Sequence, residues 1–262
     1  MIAGVKMPPK SHEDLESGYE GVGEFYDFFA DDSDIPFYIE YAQKTGSPIL
    51  DLAAGTGRVT FRLAQDGFDI VALEKSPSMM AEARKKLDAL PKSVSHRVKL
   101  VTGSMKQFSL NQKFALVIVP NSFGHLLTTR DQISTIESIK EHLQDQGIFI
   151  LDLYPGEHQY EHATFEDASV ELPNGQTVIR SGVIKSDFRK KLMRVELRYT
   201  VFNADGRIAN QVDVTSGVAL LFSKDVDYLL MKTGMHVVNE FGDFDKNPFT
   251  PESGRRILIL IK

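Results

Sequence analysis

The stretch PILDLAAGTGRVT, Pro48 to Thr60, constrains this chain more than any other. An apolar run ends in Asp51, glycines follow at Gly55 and Gly57, and a helical pattern starts at Arg58. A chain written this way turns a buried strand sharply into a helix. It leaves backbone N–H groups and a helix N-terminus facing a ligand.

The flanking sequence says what the turn is set in. Apolar runs recur at 49–53, 70–74, 98–102, 114–119 and 148–153, separated by helical patterns. One pattern carries Met80, Ala83, Leu87 and Leu90; another carries Ile133, Ile136, Ile139 and Leu143. Near-continuous apolar strands alternating with amphipathic helices predict an α/β fold whose parallel sheet is covered on both faces. Ahead of it, DSDIPFYIEYAQKTG reads as a helix, with Ser33 or Asp34 as cap, Pro36 in the first turn and Gly46 at the exit. The polar residues 1 to about 17, with their Pro-Pro pair, are expected to form a mobile arm.

After Asp152 the rhythm changes. Asn-Gly in VELPNGQTVI and Asp-Gly in VELRYTVFNADGRIANQVDV are hairpin signals. Met193, Val195, Leu197, Tyr199 and Val201 share one strand face, and Lys190, Arg194, Glu196, Arg198 and Thr200 the other. That alternation predicts three or four antiparallel strands between about 168 and 222, with one wet face. A helix (SKDVDYLLMKTG), a strand-like MHVVNEF and a last strand RRILILIK follow.

The net charge of −6 argues against a nucleic-acid binder, which needs a basic surface to displace counterions from phosphates. With no cysteine, disulfides, thiolate metal sites and cysteine nucleophiles are excluded. His158 and His162 sit four apart, but without cysteines or an H-E-x-x-H pattern no metal is expected there. The N-terminal residues show no apolar signal segment and no run is long enough to span a membrane, so a cytoplasmic protein is expected.

Two cofactor classes use a glycine-rich turn of this type. A dinucleotide fingerprint places its third glycine at Thr60, where this chain has a β-branched residue; Glu74, after the second strand, suits ribose hydroxyls in either class. The order of motifs resembles the class I S-adenosylmethionine-dependent methyltransferases. LDLAAGTGR resembles their first motif through Asp51, Gly55 and Gly57, with Ala53 in place of its first glycine. VALEKSPSMMAEARKKL resembles the acidic post-motif, VTGSMKQF the adenine segment, FALVIVPNSFGHLL the fourth-strand motif and GIFILDLYP the fifth strand.

The resemblance implies a Rossmann-like, doubly wound sheet of about seven strands with an antiparallel last strand. It also implies a small antiparallel β lid after strand five. The expected division is an N-terminal arm and cap helices over 1–46, a cofactor domain over 47–155 and 223–262, and a lid over 156–222. The implied cofactor is S-adenosyl-L-methionine. Asp51 and the Gly55 and Gly57 backbone would hold its amino-acid moiety and Glu74 the ribose, with Ala53, Arg58, Lys75, Pro120 and Asn121 as further cofactor contacts. Met79, Gly103, Ser104 and Met105 would line the adenine, and Tyr19 and Tyr26 would close the pocket. Asp51 serves equally as a helix cap, and the methionines equally as core.

The reaction such enzymes perform needs a nucleophile at near-attack distance and, for an amine or phenol, loss of a proton. His125, just past strand four, is the candidate base, expected to titrate near neutrality. Ser122, Phe123 and Tyr154 are the candidate acceptor contacts. The acceptor expected is a small amine. A hydroxyl or carboxyl acceptor and a non-catalytic cofactor-binding partner protein are the alternatives. A homodimer is expected from the exposed edges of the antiparallel strands.

Overall fold

The computed structural model describes Leu15 and residues 18–262; the arm expected over residues 1 to about 17 lies, Leu15 aside, outside the described residues. Seven strands form the main sheet: β1 (Ile49–Leu52), β2 (Ile70–Glu74), β3 (Val98–Thr102), β4 (Phe114–Val119), β5 (Leu143–Leu153), β11 (His236–Phe241) and β12 (Arg256–Ile261). Their order is β11-β12-β5-β4-β1-β2-β3. The strands β1 to β5 are parallel, and β12 runs antiparallel to both β5 and β11. This is the doubly wound sheet with an antiparallel last strand that the motifs implied.

Side-chain alternation sorts the apolar residues onto the two faces. Leu50, Leu52, Val117, Val119 and Leu151 pack with helices α6 (Thr129–His142) and α7 (Ser223–Thr233). Ile49, Leu116, Ile118 and Ile150 pack with α2 (Ile35–Thr45), α3 (Arg58–Gln65) and α4 (Pro77–Ala89). All six residues of β4 are buried, which places it at the centre of the sheet. Truncating Ile118 to alanine there costs about 2–5 kcal/mol. The short helices α1 (Gly23–Tyr26) and α5 (Lys92–Ser95) complete the helical set among the described residues, beside three 3-10 turns.

Helix α2 starts and ends as expected, with Pro36 in its first turn and Gly46 at positive φ after its last. Its cap differs. Asp34 holds the N-cap position without capping, because both its carboxylate oxygens accept hydrogen bonds from Arg58 at 2.6 Å.

The second sheet holds β6 (His162–Glu166), β7 (Val170–Glu171), β8 (Thr177–Asp187), β9 (Leu192–Phe202) and β10 (Ile208–Ala219), ordered β10-β9-β8-β6 with β7 also on β8. It has five strands and starts at His162, earlier than the alternation alone indicated. The segment HATFE is too short to announce itself and becomes a strand by pairing with β8. The expected turns are present, with Gly175 and Gly206 both at φ 78°. Val195, Leu197, Tyr199 and Val201 pack against Val22 and Phe25, the Phe25 and Tyr199 rings stacking with centroids 5.8 Å apart. The apolar face of this lid therefore meets the N-terminal cap. No helix among the described residues is long and apolar enough to cross a membrane.

Candidate active site

The carboxyl ends of β1, β2 and β4 deliver Asp51, Glu74 and Asn121 to one edge of the sheet, the edge where open α/β sheets bind ligands. Asp51 is 1% exposed. Its Oδ2 accepts a hydrogen bond from Thr60 Oγ1 at 2.6 Å, whereas Oδ1 has no partner among the described residues. Burial pushes its carboxyl up to about 7, partly opposed by the Thr60 bond. It does not cap α3, whose N-cap position is Gly57. A buried carboxylate with one orphaned oxygen suits a cationic partner, as the ammonium of the implied cofactor would be.

The turn after β1 uses left-handed backbone repeatedly. Ala53 has φ 55°, Gly55 φ 60° and Gly57 φ 81°. Alanine tolerates this at a cost of about 1–2 kcal/mol, so the departure from glycine at position 53 leaves the turn intact. The two glycines differ in purpose. A Cβ on Gly55 would enter open space, whereas one on Gly57 would collide with the Phe61 ring of its own helix. Gly55 thus borders open space, and Gly57 serves the packing of α3.

Glu74 joins this turn to the next. Its Oε2 accepts from the Gly55 N–H at 2.9 Å and its Oε1 from the Ser76 N–H at 2.7 Å. Met79 and Met105 are nearly buried and line the cleft beside Glu74 and Lys75, so each is core and pocket wall at once. Gly103 and Ser104 form the floor there, and Ser76, Lys106 and Leu126, which sequence reasoning missed, complete it. Tyr19 and Tyr26 line the same cleft. Their segment is latched down: Gly21 N–H donates to Ser78 Oγ at 2.8 Å, Thr56 Oγ1 donates to Asp27 Oδ1 at 2.6 Å, and Glu20 accepts from Ser76 and Ser78.

Two further recesses open from this cleft. One, past Ala53 and Gly55, reaches Asp51, Thr56, Arg58 and Pro120. The other reaches Tyr154, Arg180, Phe244 and Arg255. Tyr26 and Asn121 line all three spaces. Asn121 is exposed, has φ 50°, and donates its N–H to Asp152 Oδ2 at 3.3 Å. Burial raises the Tyr26 hydroxyl pKa, which keeps it protonated and able to donate.

Among the fourth-strand candidates, Ser122 lines the cleft but Phe123 does not. Phe123 is fully buried in the core, because the 3-10 turn Phe123–His125 points it inward. His125 lines the cleft beside Ser104 and Met105 and meets Tyr19 edge-on at 5.4 Å. Its Nδ1 lies 3.3 Å from the Gly217 carbonyl, which accepts its proton, and 3.3 Å from Ser216 Oγ on β10. That tautomer leaves Nε2 unprotonated. Burial pushes the imidazole down to about 4, well below the near-neutral value expected of a base.

The comparisons with known proteins agree with this geometry. Residues 49–147 match a family profile described as a methyltransferase domain. The chain is 29% identical over 198 residues, covering 74% of this chain and 77% of the relative, to a dTDP-3-amino-3,4,6-trideoxy-alpha-D-glucopyranose N,N-dimethyltransferase from Streptomyces venezuelae. Its fold is similar to that of the CcbJ methyltransferase from Streptomyces caelestis, with a TM-score of 0.76 and 20% identity over 95% of this chain and 98% of the other. The glycopeptide N-methyltransferase MtfA complexed with S-adenosyl-L-methionine gives a TM-score of 0.56 and 26% identity over 89% and 95%. An acidic first-strand end with an orphaned oxygen, a glycine held clear of side chains, a ribose-type glutamate and these matches have one common explanation. Residues 49–147 form a methyltransferase domain, and the chain is an S-adenosylmethionine-dependent methyltransferase.

Proposed function

We propose that this methyltransferase acts on the amine nitrogen of a small molecule. The observation that carries the reading is the meeting of three recesses at Tyr26 and Asn121. Two of them suit the parts of S-adenosylmethionine, and the third leaves room for an acceptor. The names of the Streptomyces venezuelae relative and of MtfA both specify methylation at nitrogen, which supports an amine over a hydroxyl.

When bound, S-adenosylmethionine supplies an electrophilic methyl group on a sulfonium. The chain's own residues do the rest. Asp51 holds the ammonium of the amino-acid moiety, Gly55 leaves room for it, Arg58 borders the same recess, and Glu74 accepts hydrogen bonds from ribose hydroxyls. Tyr19 and Tyr26 exclude water from the reacting centre. Asn121, polar and exposed at that centre, positions the acceptor nitrogen, with Ser122 and Tyr154 at its flanks. His125 takes part as a neutral hydrogen-bond acceptor through Nε2, orienting an amine N–H, while the proton of the ammonium product leaves to solvent.

The cap, cofactor domain and lid are read as 1–46, 47–155 with 223–262, and 156–222. We read the protein as a cytoplasmic homodimer with no nucleic-acid partner, supported by the net charge of −6 and the open β10 edge. Light scattering at micromolar concentration tests the dimer. The amine reading is tested by incubating the protein and S-adenosylmethionine with matched amine, hydroxyl and carboxyl acceptors. S-adenosylhomocysteine should accumulate with the amine.

A further inference from the structure

The recess beyond Tyr26 and Asn121 carries an unusual distribution of charge. Three guanidinium groups line it, those of Arg58, Arg180 and Arg255. Arg58 is spent, since Asp34 takes it through both oxygens and Asp32 adds a third contact. Arg255 is nearly as engaged, and Arg180 is the least engaged of the three. Arg255 gives one terminal nitrogen to Asp152, at 2.8 and 2.9 Å, and the other to Tyr154 Oη at 2.6 Å. Arg180 gives its Nε to Asp167 at 2.5 Å.

The counter-charges of these two sit outside the recess: neither Asp152 nor Asp167 lines it. Asp152 is 2% exposed. Two acids do line it, Asp34 and Asp31, against three guanidinium groups. Asp34 serves Arg58, and Asp31 accepts from the Ser33 N–H at 2.9 Å and Ser33 Oγ at 2.6 Å. A ligand entering the recess therefore meets more guanidinium than carboxylate groups, with Asp152 and Asp167 set behind Arg255 and Arg180. The guanidinium planes are also fixed. That of Arg180 lies 4.8 Å from the Phe29 ring centroid, and that of Arg255 4.2 Å from Tyr154 and 4.8 Å from Phe244. Stacking holds the planar fork at low entropic cost and leaves its edge for oxygen ligands.

Resting on the amine reading above, we propose that this recess recognises an oxyanion on the acceptor, a carboxylate or a phosphate, and that Arg180 on the lid strand β8 is a specificity-determining residue. The acceptor is then an amine that carries its own anion. Placing that anion at Arg180 orients the nitrogen toward Asn121 and couples acceptor binding to the lid. Arg255 shares the site, but removing it would strand the buried Asp152, so Arg180 is the residue to test.

The test uses three amines that differ in the attached group: ethylamine, glycine and 2-aminoethyl phosphate. Each is titrated calorimetrically into the protein loaded with S-adenosylhomocysteine, using wild type, Arg180→Gln and Arg180→Lys. The expected result is that at least one anionic amine binds about 10–100-fold more tightly than ethylamine, as a charge-assisted bond would give. That advantage disappears in Arg180→Gln and is partly rescued in Arg180→Lys, with S-adenosylhomocysteine affinity unchanged as the control for folding. Whether glycine or the phosphate binds more tightly identifies the anion. Equal binding of all three, no binding of either anionic amine, or an advantage that survives Arg180→Gln overturns the proposal. Methyl transfer to the same amines is read separately. Arg180-dependent binding without methylation of any amine leaves the anion site standing and removes the amine reading. Equal methylation of all three, with an anion advantage absent from binding, does the reverse.

Discussion

Thr60 Oγ1 donates to Asp51 Oδ2 at 2.6 Å and leaves Oδ1 without a partner among the described residues. Nine residues apart, the two lock the end of β1 to the first turn of α3. Thr60 stands where a dinucleotide fold would have its third glycine. Its hydroxyl instead orients the carboxylate that we propose holds the cofactor's ammonium.

Cofactor affinity should therefore depend on pH through Asp51. In the free protein burial lifts the carboxyl from 3.8 to about 7, and a cationic ligand draws it back down. Binding then releases a proton near neutrality. Affinity should rise as pH increases toward about 7 and level off above it. The free protein, conversely, loses stability from this group as pH rises between 3.8 and about 7. Calorimetry in buffers of different ionisation enthalpy measures the proton directly. Thr60→Val should weaken binding by about 1–3 kcal/mol and move the midpoint upward, since it removes the one bond that favours the ionised form.

The two glycines of the turn should fail differently. Gly55→Ala places a methyl in the ligand's space and should abolish most cofactor binding, at a folding cost of about 1–2 kcal/mol for the left-handed backbone. Gly57→Val should act mainly on stability, because its side chain meets Phe61. Comparing melting temperature with cofactor affinity for both variants separates the effects. Equal loss of affinity in two equally stable proteins would refute this division.

Glu74→Ala should cost cofactor binding about 1–3 kcal/mol through lost charge-assisted hydrogen bonds. It should also loosen the turn, because the Gly55 and Ser76 amides lose their acceptor. Faster hydrogen exchange at both amides in the variant, with the β1 strand amides unaffected, is the expected signature.

How much of this was legible in sequence follows from distance along the chain. The strands β1, β2 and β4 were readable because each is a nearly continuous apolar run whose burial on both faces needs no distant information. Glu74 and Gly55 were readable because strand-end acid and turn glycine form a local pattern. The ion pairs were not: Arg255 meets Asp152 from 103 positions away, and Arg58 meets Asp34 from 24. Asp34 looked like a cap because nothing nearby announces its partner. Phe123 looked like a pocket residue because it follows Asn121 and Ser122. A single 3-10 turn decides which of the three faces inward, and no periodicity records it.

His125 should not govern the pH–rate profile above about pH 6, since its imidazole is pushed down to about 4 by burial. The acceptor's own ammonium should set the inflection instead. His125→Gln is expected to lower turnover by about 10–100-fold while leaving the inflection in place. The residue should also appear in the stability curve. Its folded value lies below its ordinary 6.5, so the stability it supports is present above 6.5 and is lost as pH falls toward about 4. Chemical denaturation across that range should show a slope in wild type that flattens in His125→Gln. A rate inflection near 7 that vanishes in the variant would instead make His125 a general base of ordinary strength.

The most direct measurement is of where the methyl goes. The protein, S-adenosylmethionine carrying an isotopically labelled methyl group, and a panel of small amines, alcohols and carboxylates are incubated together. The products are then analysed by mass spectrometry and nuclear magnetic resonance. Label on nitrogen of an amine, with matching S-adenosylhomocysteine that is absent when Asp51→Ala replaces wild type, is the predicted result. Label on oxygen alone would contradict the account, as would no transfer to any amine by a protein that binds S-adenosylmethionine.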